Sequence, residues 1–159
     1  EAKDDPNPVE FKVDAPLATE IFALAESLDH FHRKLESGLA VARVGEKTFR
    51  FEGSTPGSQT YNYSVDPTAL KLQDTFEKMG ESQRLFIKLE YTVRFDRLGT
   101  YDALVMMDQA RARGRLIGTE HFVPLLDRIV KNKRFMNIAR DRADTLARYI
   151  RESSAAPAP

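Results

Sequence analysis

The sequence predicts a mostly α-helical fold in which antiparallel helical hairpins form a short, solenoid-like array. Three observations support this prediction. Apolar residues recur at helical spacing between residues 100 and 150, only short polar links separate these segments, and the chain contains a weak internal repeat with an offset of 40 residues. Strand-like patterns elsewhere leave an α+β fold with a small antiparallel sheet as the alternative.

The composition of the 159-residue chain is that of one globular domain, with 42% hydrophobic and 30% charged residues. Its 24 Lys and Arg residues equal its 24 Asp and Glu residues, so it lacks the positive excess that attracts nucleic acid broadly. It has no cysteine, which excludes disulfides, thiolate catalysis and the usual structural zinc sites. No apolar run approaches the roughly 20 residues that span a bilayer.

We predict a single helical-repeat-like domain over residues 15–152, with a long loop at 53–65 where Gly, Ser and Pro are frequent. Residues 1–14 would form an extended N-terminal arm, and the small and proline-rich residues 153–159 a flexible tail. The chain begins without Met, which favours a mature or trimmed protein.

The first helix is predicted to start at Asp14 and Ala15, with Pro16 in the first turn where proline is tolerated. A single apolar stripe then follows at helical spacing. Its members are Leu17, Ile21, Leu24, Ala25, Leu28 and Phe31.

Residues 38–53 have two interpretations. Residues 39–44 either continue a second helix or pair with residues 48–51 as a β-hairpin around Gly45. The next helix is clearer, because Asp66 and Pro67 form a cap and a first helical position, and we expect it to stop at Gly80.

Residues 84–95 are ambiguous, because apolar residues alternate strictly from Leu85 to Phe95 as in a half-buried strand. A helix there would be apolar on nearly all sides, which occurs when a helix is sandwiched between neighbours. We favour the helix, because the internal repeat requires it. The alternative α+β fold places strands near Val41, Phe49, Tyr61 and Ile87.

Beyond Gly99 the helical pattern is stronger. Thr100 is predicted to cap a helix that ends near Gly114, and Thr119 to cap the next. Residues 131–135 form a short polar turn before a last helix. The expected apolar positions of the last two helices are Phe122, Leu125, Leu126, Ile129 and Val130, then Ile138, Ala139, Ala143, Leu146, Ala147 and Ile150.

The offset of 40 residues aligns Leu89 with Ile129 and Ala103 with Ala143, so each copy would be one helical hairpin. Residues 100–105 running on to 113–116, and residues 125–135 followed by Ala139 and Leu146, resemble pentatricopeptide repeats. The resemblance covers about the last half of the chain, and its spacing departs from the usual period of that family. It implies a solenoid-like architecture, as in short structural subunits of mitochondrial ribosomes and of the mitochondrial ATP synthase of some protists.

The sequence predicts no metal site, no cofactor and no catalytic residue. Asp29, His30 and His32 include good ligand types, but on a helix the two imidazoles point about 200° apart. Residues 45–48 end like a phosphate-binding loop, yet Glu46 occupies the place where that motif requires glycine.

Basic residues near the ends of successive helices form a candidate binding patch for RNA phosphates or an acidic partner. The same residues would also complement helix dipoles, a role worth about 0.3–1 kcal/mol each. The candidate residues are Arg111, Arg113, Arg115, Lys131, Lys133 and Arg134.

The leading functional hypothesis is a non-catalytic helical scaffold that binds other protein subunits of a large organellar assembly, with a mitochondrial location and no membrane span. An RNA-binding protein of the same fold is the second hypothesis. A bacterial periplasmic α+β domain that binds a ligand or serves as an adaptor is the third.

Overall fold

The computed structural model describes residues 10–43 and 45–155. Within these ranges the chain forms five α-helices and one antiparallel pair of strands, which confirms the mostly α-helical class with a small sheet. None of the helices in the described ranges is long and apolar enough to cross a membrane. The elements are α1 Ala15–Ser27, β1 Lys47–Phe51, β2 Gly57–Tyr61, α2 Pro67–Phe95, α3 Gly99–Ala112, α4 Val123–Lys131 and α5 Asn137–Ala155, with 3-10 turns at Asp29–Phe31 and Glu120–Phe122.

The ends of the chain are only partly described. Residues 1–9 of the predicted arm and residues 156–159 of the predicted tail lie outside the described ranges. Helix α5 continues to Ala155, so residues 153–155 of the predicted tail belong to a helix.

Helix α1 begins where the sequence predicts. The carboxylate of Asp14 accepts a hydrogen bond from the backbone N–H of Leu17 at 2.9 Å, and Pro16 lies in the first turn. The helix ends at Ser27, however, so the expectation that it extends to Phe31 is wrong. Phe31, the last member of the predicted stripe, reaches the core through the turn that follows α1.

A left-handed turn follows α1 and delivers Phe31 to the core. Asp29, His30 and Phe31 have φ angles of 52°, 48° and 68°. The ring of Phe31 lies 5.2 Å from that of Phe49 on β1, measured between centroids. The carbonyl oxygen of His30 lies so close to Gly57 of β2 that a Cβ has no room there. The turn therefore packs against both strands of the sheet.

The sheet pairs β1 with β2, not with residues 39–44. Residues 39–43 form neither a helix nor a strand, so both interpretations of this segment are wrong, and residue 44 lies outside the described ranges. The assignment of all of residues 53–65 to a loop is also wrong, whereas the strands near Phe49 and Tyr61 are confirmed. Phe49 and Tyr61 point inward and are buried. On the outer face the hydroxyls of Thr48 and Thr60 lie 2.8 Å apart, as expected for a directly opposed pair.

Helix α2 is one continuous helix of 29 residues. Asp66 caps it as predicted, accepting hydrogen bonds from the backbone N–H groups of Thr68 and Ala69. The prediction that the helix stops at Gly80 is wrong. The favoured helix over residues 84–95 is confirmed, and the alternative strand near Ile87 is wrong. Packing on both sides of Gly80 outweighs the small helix penalty of one glycine.

The N-terminus of α3 is capped by a different residue from the one predicted. The carboxylate of Asp96 accepts a hydrogen bond from the N–H of Gly99 at 3.0 Å, and Thr100 lies fully buried inside the helix. Thr119 precedes the second 3-10 turn without a side-chain cap. Gly114, with a φ of 65°, ends α3 as predicted.

Helices α2 and α3 form an antiparallel hairpin. The side chain of Glu81 pairs with Arg115 just beyond α3, while further along α2 the Lys88 Nζ lies 3.0 Å from the Met106 Sδ. Later residues of α2 thus meet earlier residues of α3.

Helices α4 and α5 form the second antiparallel hairpin. Asp127 binds Arg151 at 2.6 Å, and the carbonyl of Val130 accepts a hydrogen bond from the Nε of Arg140 at 2.9 Å. Here too, later residues of one helix contact earlier residues of the other.

The two hairpins stack through α3 and α5, which run in parallel. The guanidinium of Arg142 lies over the ring of Tyr101, and that of Arg111 lies over the ring of Tyr149. Both hairpins share one core, in which Phe122, Leu126, Ile129, Leu146, Ala147 and Ile150 are buried as predicted. Ile138, which the sequence places on this face, is 52% exposed, because it lies about 100° around α5 from the fully buried Ala139 and so points away from the core.

Candidate functional site

The C-terminal half of α2 carries a row of exposed apolar side chains, which we call the outer stripe. It consists of Ile87, Tyr91, Phe95 and, just beyond the helix, Leu98, with exposed fractions of 41%, 61%, 73% and 76%. The rings of Tyr91 and Phe95 lie 5.2 Å apart between centroids. The three helical members recur every four residues and lie roughly opposite the fully buried Leu89.

The outer stripe continues a side of α2 that is covered elsewhere. Ala69 and Ile87 are 18 residues apart, as are Gln73 and Tyr91, and about 18 residues make five helical turns. Ala69 is fully buried in the core shared with α1 and the sheet, and Gln73 accepts a hydrogen bond from the hydroxyl of Tyr61. At these two positions, the side of α2 that α1 and the sheet cover in the N-terminal half is therefore bare in the C-terminal half.

Charged side chains border this apolar surface. Arg94 and Glu90 form an ion pair at 2.9 Å along the helix, and the side chain of Lys88 lies on the flank that faces α3. An apolar centre with a charged border is the usual arrangement of a protein–protein contact surface.

The sequence contains the pattern that forms the outer stripe, as the strict alternation of apolar residues from Leu85 to Phe95. Leu85 and Leu89 point into the core, whereas Ile87 and Tyr91 point outward. Two apolar stripes on opposite sides of one helix produce the alternation that suggested a strand. A helix apolar on two sides indicates a second partner, and the sequence alone does not say whether that partner belongs to the same chain.

Three of the six predicted basic residues are paired with carboxylates. Arg111 binds Asp108 at 2.7 Å, Arg115 binds Glu81, and Arg113 lies 3.9 Å from Glu81. The hydrogen bond to Glu81 is the main cause that raises the pKa of Arg115. Arg113 and Arg115 thus hold the end of α3 against α2, whereas Arg111 pairs within α3.

The other three, Lys131, Lys133 and Arg134, are exposed in the turn between α4 and α5. This turn adjoins the start of α5, whereas Arg111 contacts Tyr149 near the end of that helix, at 5.2 Å from the ring centroid. Asn137 at the start of α5 and Tyr149 are 12 residues apart, which is about 18 Å at 1.5 Å per residue. The six basic residues thus form two groups and not one patch.

The histidines do not converge on a metal site. The ring of His30 lies against Phe51, 4.3 Å between centroids, because the left-handed turn directs it toward β1. Among residues 10–43 and 45–155, no group of three or more His, Asp or Glu side chains is arranged to hold a metal ion.

His121 is enclosed by aromatic rings. Its ring lies 5.6 Å from Phe11, 5.0 Å from Phe86 and 4.7 Å from Phe122, and its Nε2 lies 3.1 Å from the side-chain oxygen of Gln83. This cluster joins the N-terminal segment to α2 and to the start of α4.

Burial lowers the pKa of His121 below its ordinary value of 6.5, with the charge of Asp14 opposing. A lowered pKa means that the folded state disfavours the protonated ring. The stability that the neutral ring contributes is therefore fully present above about pH 6.5 and is lost as the pH falls through the folded pKa. We expect the free energy of unfolding to fall as the pH drops below about 6.5, and to fall less in His121→Gln. Urea unfolding followed by circular dichroism measures this, and an equal fall in both proteins would contradict it.

The outer stripe is one continuous surface, whereas the predicted basic residues are divided. Carboxylates already bind three of the six basic side chains, so these three contribute little net charge to a phosphate-binding patch. No protein-family model, curated protein or solved structure matches the chain.

Proposed function

We propose that the chain is a non-catalytic helical scaffold that binds another protein subunit through the outer stripe. The observation that carries the proposal is the continuity between the stripe and the covered side of α2. Ile87 occupies the angular position of Ala69, which is fully buried, yet Ile87 is 41% exposed. A partner helix or sheet would cover the stripe as α1 and the sheet cover the other half.

The aromatic side chains of the outer stripe support a specific contact. Aromatic side chains dominate the energy of protein interfaces, and Tyr91 and Phe95 lie adjacent at the centre of the stripe. Burial of each such side chain contributes about 1.5–3 kcal/mol. The resemblance to pentatricopeptide repeats extends the proposal to a large organellar assembly, such as a mitochondrial ribosome or ATP synthase.

The test replaces Tyr91 and Phe95 by Ser in the tagged protein, purified from the cells that naturally produce it. We expect loss of the co-purifying subunits, because affinity should fall at least about tenfold. The matched control replaces Tyr63 and Val65, which are exposed just before α2 begins and so lie at the opposite end of this helix from Phe95, by Ser. Circular dichroism verifies that both variants fold.

Retention of the same subunits by Tyr91→Ser/Phe95→Ser would contradict the proposal. So would an equal loss of these subunits in both double variants, because the outer stripe would then have no special role.

A further inference from the structure

An aromatic cleft of about 650 Å³ lies between β1, α1 and α2. Phe22 of α1 and Phe76 of α2 form its walls and are 61% and 44% exposed. Phe49 of β1 contributes to its base, with its ring centroid 6.1 Å from that of Phe76. Ligand sites in proteins occupy about 300–1,000 Å³ and are mostly apolar, so the cleft has the size and lining of a binding site.

Strand β1 borders this cleft with its edge and not with one face. Residues 48–52 are consecutive, so their side chains alternate between the two faces of the sheet, yet all five line the cleft. Among the described residues, none of the lining belongs to β2. The cleft therefore runs along the side of β1 that β2 does not occupy.

The backbone on that side of β1 is available for hydrogen bonding. In a two-stranded antiparallel sheet, alternate residues of each strand direct their N–H and C=O groups away from the partner strand. Within residues 10–43 and 45–155, no backbone hydrogen bond joins β1 to an element other than β2. The edge thus offers a regular row of donors and acceptors beside an apolar surface.

The charge of the cleft limits what it accepts. Its charged lining residues in the described part of the chain are Arg50 and Glu52, which pair with each other at 3.0 Å. The cleft therefore presents no net charge and favours an uncharged occupant. A helix satisfies its backbone groups internally, so among protein segments only an extended one would use the free edge.

We propose that the free edge of β1 binds an extended, uncharged segment of a partner protein as a third strand of the sheet. Side chains at alternate positions of that segment lie between Phe22 and Phe76, because successive side chains of a strand point to opposite faces. This proposal shares with the proposed function the premise that the chain binds proteins. It does not depend on the outer stripe, because the cleft beside β1 is a separate surface.

The experiment uses a short, capped peptide of alternating valine and threonine and the ¹⁵N-labelled full chain. Two analogues carry N-methyl groups on alternate residues, one in each register, because N-methylation removes a backbone donor. We expect the parent peptide to shift the backbone amide signals of residues 47–51. One analogue should bind about tenfold more weakly, because it loses hydrogen bonds to the edge, and the other should bind like the parent.

Two variants of the protein complete the test. Phe22→Ser should weaken peptide binding about tenfold, and its exposed position protects the fold. Tyr91→Ser/Phe95→Ser should bind the peptide unchanged. Even a weak complex has a dissociation constant of about 1 mM or less, so β1 amide signals that do not shift at about 1 mM peptide would overturn the proposal. Equal binding of both analogues would overturn it too.

The two proposals fail separately. If Tyr91→Ser/Phe95→Ser loses the co-purifying subunits and the peptide does not shift the β1 amide signals, the edge site is overturned and the proposed function stands. Peptide binding that meets these criteria, with no loss of subunits from the outer-stripe variant, supports the edge site and contradicts the docking role of the stripe.

Discussion

Replacement of Leu146 by alanine is expected to lower the free energy of unfolding by about 2–5 kcal/mol. Leu146 is fully buried on α5, within the core that both hairpins share. Its truncation removes apolar contacts and leaves a cavity between α5 and its neighbours, and a packed core relaxes only partly around such a cavity. Urea unfolding followed by far-ultraviolet circular dichroism measures the effect.

Ile138→Ala is the matched control on the same helix. Ile138 is 52% exposed, so its truncation should cost less than about 1 kcal/mol. Similar losses for both variants would show that α5 is not oriented as described, because the two positions would then be equally buried.

The second large effect is expected for Gly57→Ala, with a loss of about 1–3 kcal/mol of stability. A Cβ at Gly57 would collide with the carbonyl oxygen of His30, a backbone atom that cannot move without disturbing the left-handed turn. Thermal and urea unfolding of the variant measure the loss.

Gly80→Ala should have the opposite sign and raise the stability by about 0.5–1 kcal/mol. Gly80 lies inside α2, and the nearest atom to an added Cβ is the end of the flexible Arg84 side chain at 3.7 Å. Had α2 ended at Gly80 with a left-handed glycine, alanine would destabilise it. A loss of stability in Gly80→Ala, or no loss in Gly57→Ala, would contradict the geometry of these two sites.

The helix starts could be predicted because their causes are local. Asp14 with Pro16, and Asp66 with Pro67, place an acceptor side chain and a proline within a few residues of each other. The continuation of α2 through Gly80 could not be predicted, because glycine tolerates both a helix and its termination. There the outcome depends on distant partners of α2, which the local sequence does not contain.

The sheet was only partly predictable for the same reason. Strand β2 contains Gly57, Ser58 and Gln59, which resemble a loop, and only Tyr61 provides a large apolar side chain. Its extended form depends on pairing with β1 across the intervening residues and on contact with the left-handed turn. Three consecutive positive φ angles in residues other than glycine have no simple sequence pattern.

The candidate site was present in the sequence as the alternation of Leu85, Ile87, Leu89 and Tyr91. The sequence could not assign the outward members to a separate surface, because this requires the positions of α1, α3 and α4. The basic residues were selected by their place near helix ends, yet such proximity along the chain does not bring Arg111 and Lys131 to the same end of the fold.

The most direct test of the outer stripe is photo-crosslinking in the cells that produce the protein, with a benzoylphenylalanine at position 95 or, as a control, at position 65. Phe95 is 73% exposed on the outer stripe, and Val65 is 57% exposed just before the start of α2, about 40 Å away along the helix at 1.5 Å per residue. We expect a discrete covalent adduct with another protein from position 95 and none of that size from position 65. The absence of an adduct from position 95, or the same adducts from both positions, would contradict the claim that the outer stripe is a binding surface.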